Sequence, residues 1–389
     1  MRYSIFGTTG LKVSELALGA MTFGEGWGWG SSRAESRSVF EAFAEAGGNF
    51  IDTADVYTGG ESERILGELM GRERDRFVVS TKFTAGPNAK DPNAAGNSRK
   101  HMLRSLDASL ARLGTDHVDV YWVHVWDYLT PIEEVMQAFD DLVRSGKVLY
   151  VGLSDTPAWV VARGQTLAEL RGATRLASVQ IQYSLSERRV EADYFPLAET
   201  LDLAVCCWSP LDQGFLTGKY GAGGGLVGDS RRSALHGEAI PALKVPVVAE
   251  LVAVARELGC SPAALALRWI RQRSPRAIPI VGARTRRQLE ESLAAVDLVL
   301  PDPLFERLER VSRVAQAWPH ALLASPAQTG FTYGGYLDRI DTTRPLPVRG
   351  TGDSGPASYL SSESAARSKS DPAPTRPPQS PQKKARQKK

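Results

Sequence analysis

The sequence predicts an α/β protein folded as a closed (β/α)8 barrel, a TIM barrel, and three observations carry that expectation. Eight short apolar, β-branched runs follow one another along residues 1 to about 345. Each run is followed by a stretch with apolar residues at helical spacing. The runs are apolar almost throughout rather than alternating, the pattern of parallel strands covered on their faces by helices. A chain of 389 residues accommodates all eight units in one barrel; a doubly wound open sheet is the alternative architecture.

Taken in order, strands are expected at 15–21 (ELALGAM), 49–52 (NFID), 77–82 (FVVSTK) and 118–124 (VDVYWVH). They continue at 148–154 (VLYVGLS), 178–183 (SVQIQY), 203–209 (LAVCCWS) and 277–282 (AIPIVG). Helical patterns lie between them, among others at 35–47, 62–71, 99–114 and 131–146. Pro131 suits a first helical turn, and Gly47, Gly114 and Gly146 sit where a helix end wants a left-handed residue. Ahead of the first unit, RYSIFGTTGLKVS reads as a hairpin around Thr9-Gly10, placed to plug the bottom of a barrel. Two longer, Gly-rich connections near 84–98 and 210–245 run from a strand to its helix. In a barrel such loops belong to the active-site rim.

Composition narrows the class. Apolar residues make up 42% and charged residues 23%, as in globular proteins. No window approaches the length of a membrane span, and the start MRYSIFGTTG lacks the basic and apolar regions of a secretory signal. Cys206, Cys207 and Cys260 suit inert, buried thiols in a reducing cytoplasm better than a disulfide framework. The net charge of +3 hides a division: eight Lys/Arg against three Asp/Glu fall after residue 349, so the preceding part is near −2. That leaves no electrostatic case for nucleic acid at the barrel. Residues 346–389, Pro/Ser/Lys-rich and poor in apolar side chains, are expected to be a disordered tail behind a barrel domain at 1–345.

The strands end on polar residues: Asp52, Lys82, His124 and Ser154. In a barrel the C-terminal strand ends meet on one rim, so these residues become neighbours, with Tyr57 just beyond Asp52. The stretch TGGESE after Tyr57 reads as a short turn and helix cap, with Ser62 near the helix start. The chemistry of the set is coherent. A phenol is a poor acid at neutral pH. An adjacent ammonium favours the phenolate and lowers its pKa, and a carboxylate keeps that ammonium charged. Asp52–Lys82–Tyr57 therefore reads as a proton relay with Tyr57 as general acid, beside a neutral His124 that orients a carbonyl. The set holds no strong nucleophile and no metal-ligand cluster, so hydride from a bound cofactor is the natural attacking group.

NFIDTADVY, STKF and YWVHVWD resemble the catalytic stretches of the aldo-keto reductase superfamily, over about residues 2–342. The resemblance implies a (β/α)8 barrel that binds NADPH (NADP) extended, without a Rossmann glycine turn, and reduces a small-molecule aldehyde or ketone. It implies Asp52, Tyr57, Lys82 and His124 as the catalytic tetrad, with Tyr57 as proton donor. For the cofactor it implies Ala20, Met21 and Asp52, then Ser154, Asp155 and Gln180 at the nicotinamide carboxamide, with Trp208 stacked on the ring. Asp155 stands where the family has Asn and accepts from an amide without donating. Ser209, Leu211, Gln213, Gly214 and Lys219 fall where the family wraps the pyrophosphate. Gly282, Arg284 and Gln288 fall at the adenosine 2′-phosphate, and Glu291 at the adenine, with Ser292 in place of an Asn. Arg284 argues for NADPH over NADH. Trp27, Trp29 and Trp126 are expected to frame the substrate pocket.

Two rival classes remain at this point. Barrels resembling this family also serve as cofactor-sensing regulatory subunits, for which turnover is secondary. A (β/α)8 hydrolase would want a carboxylate pair and has no use for Lys82 beside Tyr57.

Overall fold

A computed structural model describes residues 1–86, 90–219 and 241–341. Eight parallel strands close into a barrel: β3 (Ala17–Gly19), β4 (Phe50–Asp52), β5 (Val78–Phe83), β6 (Val118–Val123), β7 (Val148–Ser154), β8 (Leu176–Gln182), β9 (Ala204–Trp208) and β10 (Ala277–Gly282), with β10 pairing back to β3. Ahead of them β1 (Tyr3–Ile5) and β2 (Lys12–Ser14) form the expected antiparallel hairpin. The expected strands at 148–154 and 277–282 match the observed ones, whereas 15–21 shrinks to three residues. There Ala20 N–H donates to the Asp52 carbonyl and the chain then turns away.

The hairpin does plug the barrel floor. Phe6 and Val13 are fully buried in one cluster with the inward residues Phe50, Val120, Trp122 and Ile278. The Phe6 and Phe50 rings meet edge to face at 5.5 Å. Trp122 fills the barrel interior against β7, and a Cβ on Gly152 would stand 2.4 Å from its ring. That is why a glycine interrupts this strand. A second, larger core lies between strands and helices; Val39, Phe43, Leu106, Phe139 and Leu251 are among its buried members. Each such side chain contributes about 1.5–3 kcal/mol by leaving water.

The helices include α1 (Arg33–Glu45), α2 (Glu61–Met70), α3 (Arg99–Leu113), α4 (Ile132–Arg144), α5 (Ala158–Arg171) and α6 (Glu191–Thr200). After them come α7 (Val245–Leu258), α8 (Pro262–Arg273), α9 (Arg286–Leu293) and α10 (Asp302–Val311). Gly47, Gly114 and Gly146 all have positive φ just past helix ends. Pro131 is not inside the first turn of α4 but caps it with extended ψ. Among the described residues no helix is long and apolar enough to cross a membrane. The loop residues 87–89 and 220–240, the 345 boundary and the 346–389 tail lie outside the described residues.

Candidate active site

The polar strand ends meet at the C-terminal mouth of the barrel. Asp52 ends β4, and Lys82 lies one residue before the end of β5, both buried. Lys82 Nζ donates to Asp52 Oδ2 at 2.5 Å, to the Thr53 carbonyl at 2.7 Å and to Tyr57 Oη at 3.3 Å. An ammonium has three donors and no lone pair. The Tyr57 oxygen must therefore be the acceptor in that contact, which leaves its own proton free of Lys82. Asp52 Oδ1 accepts from Ser80 Oγ at 2.7 Å and Gln180 Nε2 at 3.0 Å. The buried carboxylate thus has three donors, one of them a cation, the condition under which a buried charge is tolerated.

Tyr57 is presented by a tight turn. Thr58 and Gly59 take positive φ (49° and 67°) before the chain enters α2. Thr58 Oγ1 donates to the Phe23 carbonyl and accepts from Ser62 N–H. Gly60, in left-handed conformation, caps α2, and Ser62 lies in its first turn as expected. Ser62 Oγ is turned inward, where it donates to the Ala20 carbonyl and meets Thr53 Oγ1. The tyrosine is fixed all the same, through Thr58 and the floor beneath it.

The titration of these groups follows from enclosure. Burial is the largest influence on Tyr57 and raises its pKa; the Lys82 charge opposes it and Asp52 adds to it. The expected lowering by lysine is therefore outweighed, and the phenol stays protonated at neutral pH, the form a proton donor needs. Burial works against the Lys82 ammonium, but Asp52 and Tyr57 together hold its pKa above the ordinary value. His124 has its ring centroid 5.7 Å from that of Tyr57, edge to face. Burial first and the Lys82 cation second push its pKa down to about 3. It is the neutral imidazole that faces the cavity.

This has a measurable consequence. Unfolded, a histidine titrates near 6.5, so between about pH 6.5 and 3 the unfolded chain binds the proton that native His124 refuses. Stability must rise with pH across that window and be lost as pH falls through it. Urea denaturation at pH 7 and pH 5 should show a smaller loss for His124→Gln than for wild type; equal losses would contradict the neutral, enclosed imidazole.

A cavity of about 460 Å³ runs from this cluster along the rim. Tyr57, His124, Asp52, Trp29 and Met21 line it, with Ser154, Asp155, Gln180 and Trp208. Ser209, Leu211, Gln213, Gly214 and Lys219 line it too, as do Gly282, Arg284, Gln288, Glu291 and Ser292. Thr22 and Thr217 also line it and carried no signal in the sequence. Lys82 stands behind Tyr57 rather than in the wall, and Ala20 is buried beneath the floor. Trp126 is no part of the pocket: it is buried and packs in the outer core. Trp27 lies outside the cavity lining but beside it, with its ring 6.3 Å from Tyr57 and 5.5 Å from Trp29.

Each part of the wall is held differently. Ser154 Oγ is buried and has no hydrogen-bond partner among the described residues. After β9 the chain turns sharply, with Ser209, Asp212, Gln213 and Gly214 all at positive φ. Asp212, missed in the sequence, anchors that turn by accepting from Ser186 Oγ and Lys244 Nζ, both at 2.6 Å. Beyond β10 Thr285 caps α9, and Gln288 Oε1 accepts from the Arg284 N–H at 2.9 Å. Arg286 pairs with Glu45 and Glu290, and Arg287 with Glu291, so Glu291 is engaged along its own helix. Arg284 makes no ion pair among the described residues. Ser292 is buried and bonds back to the Gln288 carbonyl.

The family model described as "Aldo/keto reductase family" matches residues 15–313. The chain belongs to the aldo/keto reductase family. It is 36% identical to a norsolorinic acid reductase of Emericella nidulans, over 82% of this chain and 84% of that one. It is 34% identical to a putative aryl-alcohol dehydrogenase of Saccharomyces cerevisiae, over 83% and 89%. An aldo-keto reductase of Emericella nidulans is also 34% identical, over 85% and 86%. Membership in this family and the reductase names of its relatives support a carbonyl reductase, an oxidoreductase acting on small molecules.

Proposed function

We propose that this aldo/keto reductase is a cytoplasmic enzyme that reduces aldehyde or ketone carbonyls to alcohols, with NADPH as hydride donor and Tyr57 as proton donor. The observation that carries the reading is the buried Asp52–Lys82–Tyr57 chain, which opens on a cavity where Ser154 Oγ has no partner among the described residues.

The residues present suit a dinucleotide. An orphaned hydroxyl, a carboxylate and an amide converge at Ser154, Asp155 and Gln180. These can satisfy the donors and acceptor of a carboxamide. Gln180 already gives Nε2 to Asp52, so its Oε1 is the atom left to accept. Trp208 offers an aromatic face beside them. On the same cavity wall, Arg284 is a cation without an acidic partner among the described residues, next to a helix N-terminus, a setting that favours a phosphate. When bound, the reduced nicotinamide supplies a hydride.

The chain's own residues do the rest. A neutral His124 can donate one hydrogen bond to the substrate carbonyl and turn its oxygen towards Tyr57. The Tyr57 hydroxyl gives its proton to that oxygen as negative charge develops there. Lys82, held charged by Asp52, stabilises the phenolate left behind. Trp27 and Trp29, packed beside Tyr57, present apolar surface to the rest of the substrate. The name of one relative, a putative aryl-alcohol dehydrogenase, agrees with an aromatic carbonyl.

Titration with NADPH and NADH, followed by tryptophan fluorescence and by turnover of a panel of aldehydes and ketones, tests the proposal. NADPH should bind more tightly and support turnover. Arg284→Ala should weaken NADPH about 10- to 100-fold, the worth of a charge-assisted contact, and leave NADH nearly unchanged. A wild-type preference for NADH would sink the assignment of Arg284.

A further inference from the structure

We propose that Asp155 is a positioning residue that sets the cofactor's charge preference: anchored on Trp208, its carboxylate makes the site hold the oxidised, cationic nicotinamide more tightly than the reduced, neutral one. The inference rests on the reading above that the nicotinamide lies against Trp208.

Asp155 follows the last residue of β7 at φ 40°, a left-handed conformation that Asp adopts more readily than most residues. Its backbone is fixed from both sides. Its N–H donates to the Gln180 carbonyl at 3.0 Å, and its carbonyl accepts from Trp126 N–H at 3.3 Å. The side chain then reaches over β8 to the end of β9, where Oδ1 accepts from Trp208 Nε1 at 2.9 Å. This bond ties the indole plane to the rim between two strands that do not pair with each other.

An amide oxygen would accept the same indole N–H, so the hydrogen bond alone does not explain a carboxylate here. What the carboxylate adds is charge. Asp155 lines the cavity and makes no ion pair among the described residues. The cation that influences it is Lys82, whose donors are committed to Asp52, Thr53 and Tyr57. Asp155 is solvent-exposed at the rim; the water it does lose raises its pKa, and the Trp208 bond and Lys82 oppose that rise. Of the parts of a nicotinamide dinucleotide, only the oxidised ring is cationic, and the reduced ring is neutral. A fixed anion beside the ring separates those two states, whereas a neutral amide treats them alike.

The full chain should be titrated separately with NADP⁺ and NADPH, reading tryptophan quenching and heat, as wild type, Asp155→Asn and Asp155→Ala. Asp155→Asn keeps an acceptor for Trp208, removes the charge and turns one carboxylate oxygen into an NH2 donor, a change that the neutral and cationic rings share. It should weaken NADP⁺ about five- to tenfold relative to NADPH, the size expected for one unit charge acting across a water-accessible cleft. Asp155→Ala loses the anchor as well and should weaken both forms. If Asp155→Asn moves NADP⁺ and NADPH by the same factor, the charge proposal is overturned while the cofactor reading stands. If wild type binds neither dinucleotide, both are overturned.

Discussion

Tyr57→Phe should lower kcat by about 10²- to 10⁴-fold, the usual contribution of a positioned general acid, while NADPH binding and the fold are retained. The reason is local. The phenol oxygen is an acceptor for Lys82 Nζ at 3.3 Å, and the ring also lies beneath that ammonium, with Nζ 4.9 Å from its centroid. Phenylalanine keeps the ring and its packing against His124 and Trp27 but removes the hydroxyl proton assigned to the substrate oxygen. Lys82 keeps its contacts with Asp52 and Thr53, so no buried charge is left unpaired. The loss should therefore appear in kcat rather than in the binding of NADPH or in the urea midpoint. A variant that reduced a good aldehyde at the wild-type rate would remove Tyr57 from the mechanism.

Much of this arrangement is legible in the sequence, for a physical reason. A barrel brings every C-terminal strand end to one rim, so strand order alone places Asp52, Lys82, His124 and Ser154 together. Same-face spacing also points to Ser80, two residues before Lys82 on β5 and bonded to Asp52. Other features depend on three-dimensional detail that no spacing encodes. Trp126 lies only two residues past His124, yet it folds back into the outer core rather than facing the cavity. The Asp155–Trp208 bond joins residues 53 positions apart across an intervening strand. The sign of the Tyr57 shift differs from the sequence expectation for a related reason. A neighbouring charge reveals the lysine's effect, but the enclosure that outweighs it exists only in the folded chain. Ser62 sits near the helix start as the sequence suggests, but its buried bond to the Ala20 carbonyl is not encoded in spacing.

Lys82→Met should separate the relay's part in chemistry from its part in folding. The lysine is fully buried, and its partner carboxylate is buried too, so removing the ammonium strands an uncompensated charge on Asp52. Breaking a buried pair in this way costs about 3–5 kcal/mol of stability. Ser80 and Gln180 still donate to Asp52 Oδ1, which places the expected loss towards the lower end of that range. Turnover should fall as far as in Tyr57→Phe or further, because a phenolate formed without Lys82 would face burial and the Asp52 charge alone, and both raise its pKa. Adding Asp52→Asn removes the stranded charge while keeping an oxygen for Ser80 and Gln180. The double variant should regain much of the lost stability in urea and none of the lost turnover. Recovery of both would mean that Lys82 matters only as a counter-ion, and recovery of neither would mean that Asp52 is not the charge it balances. Stability alone should return, because in the proposed relay Asp52 acts on the reaction only through Lys82, and Lys82 through the oxygen of Tyr57.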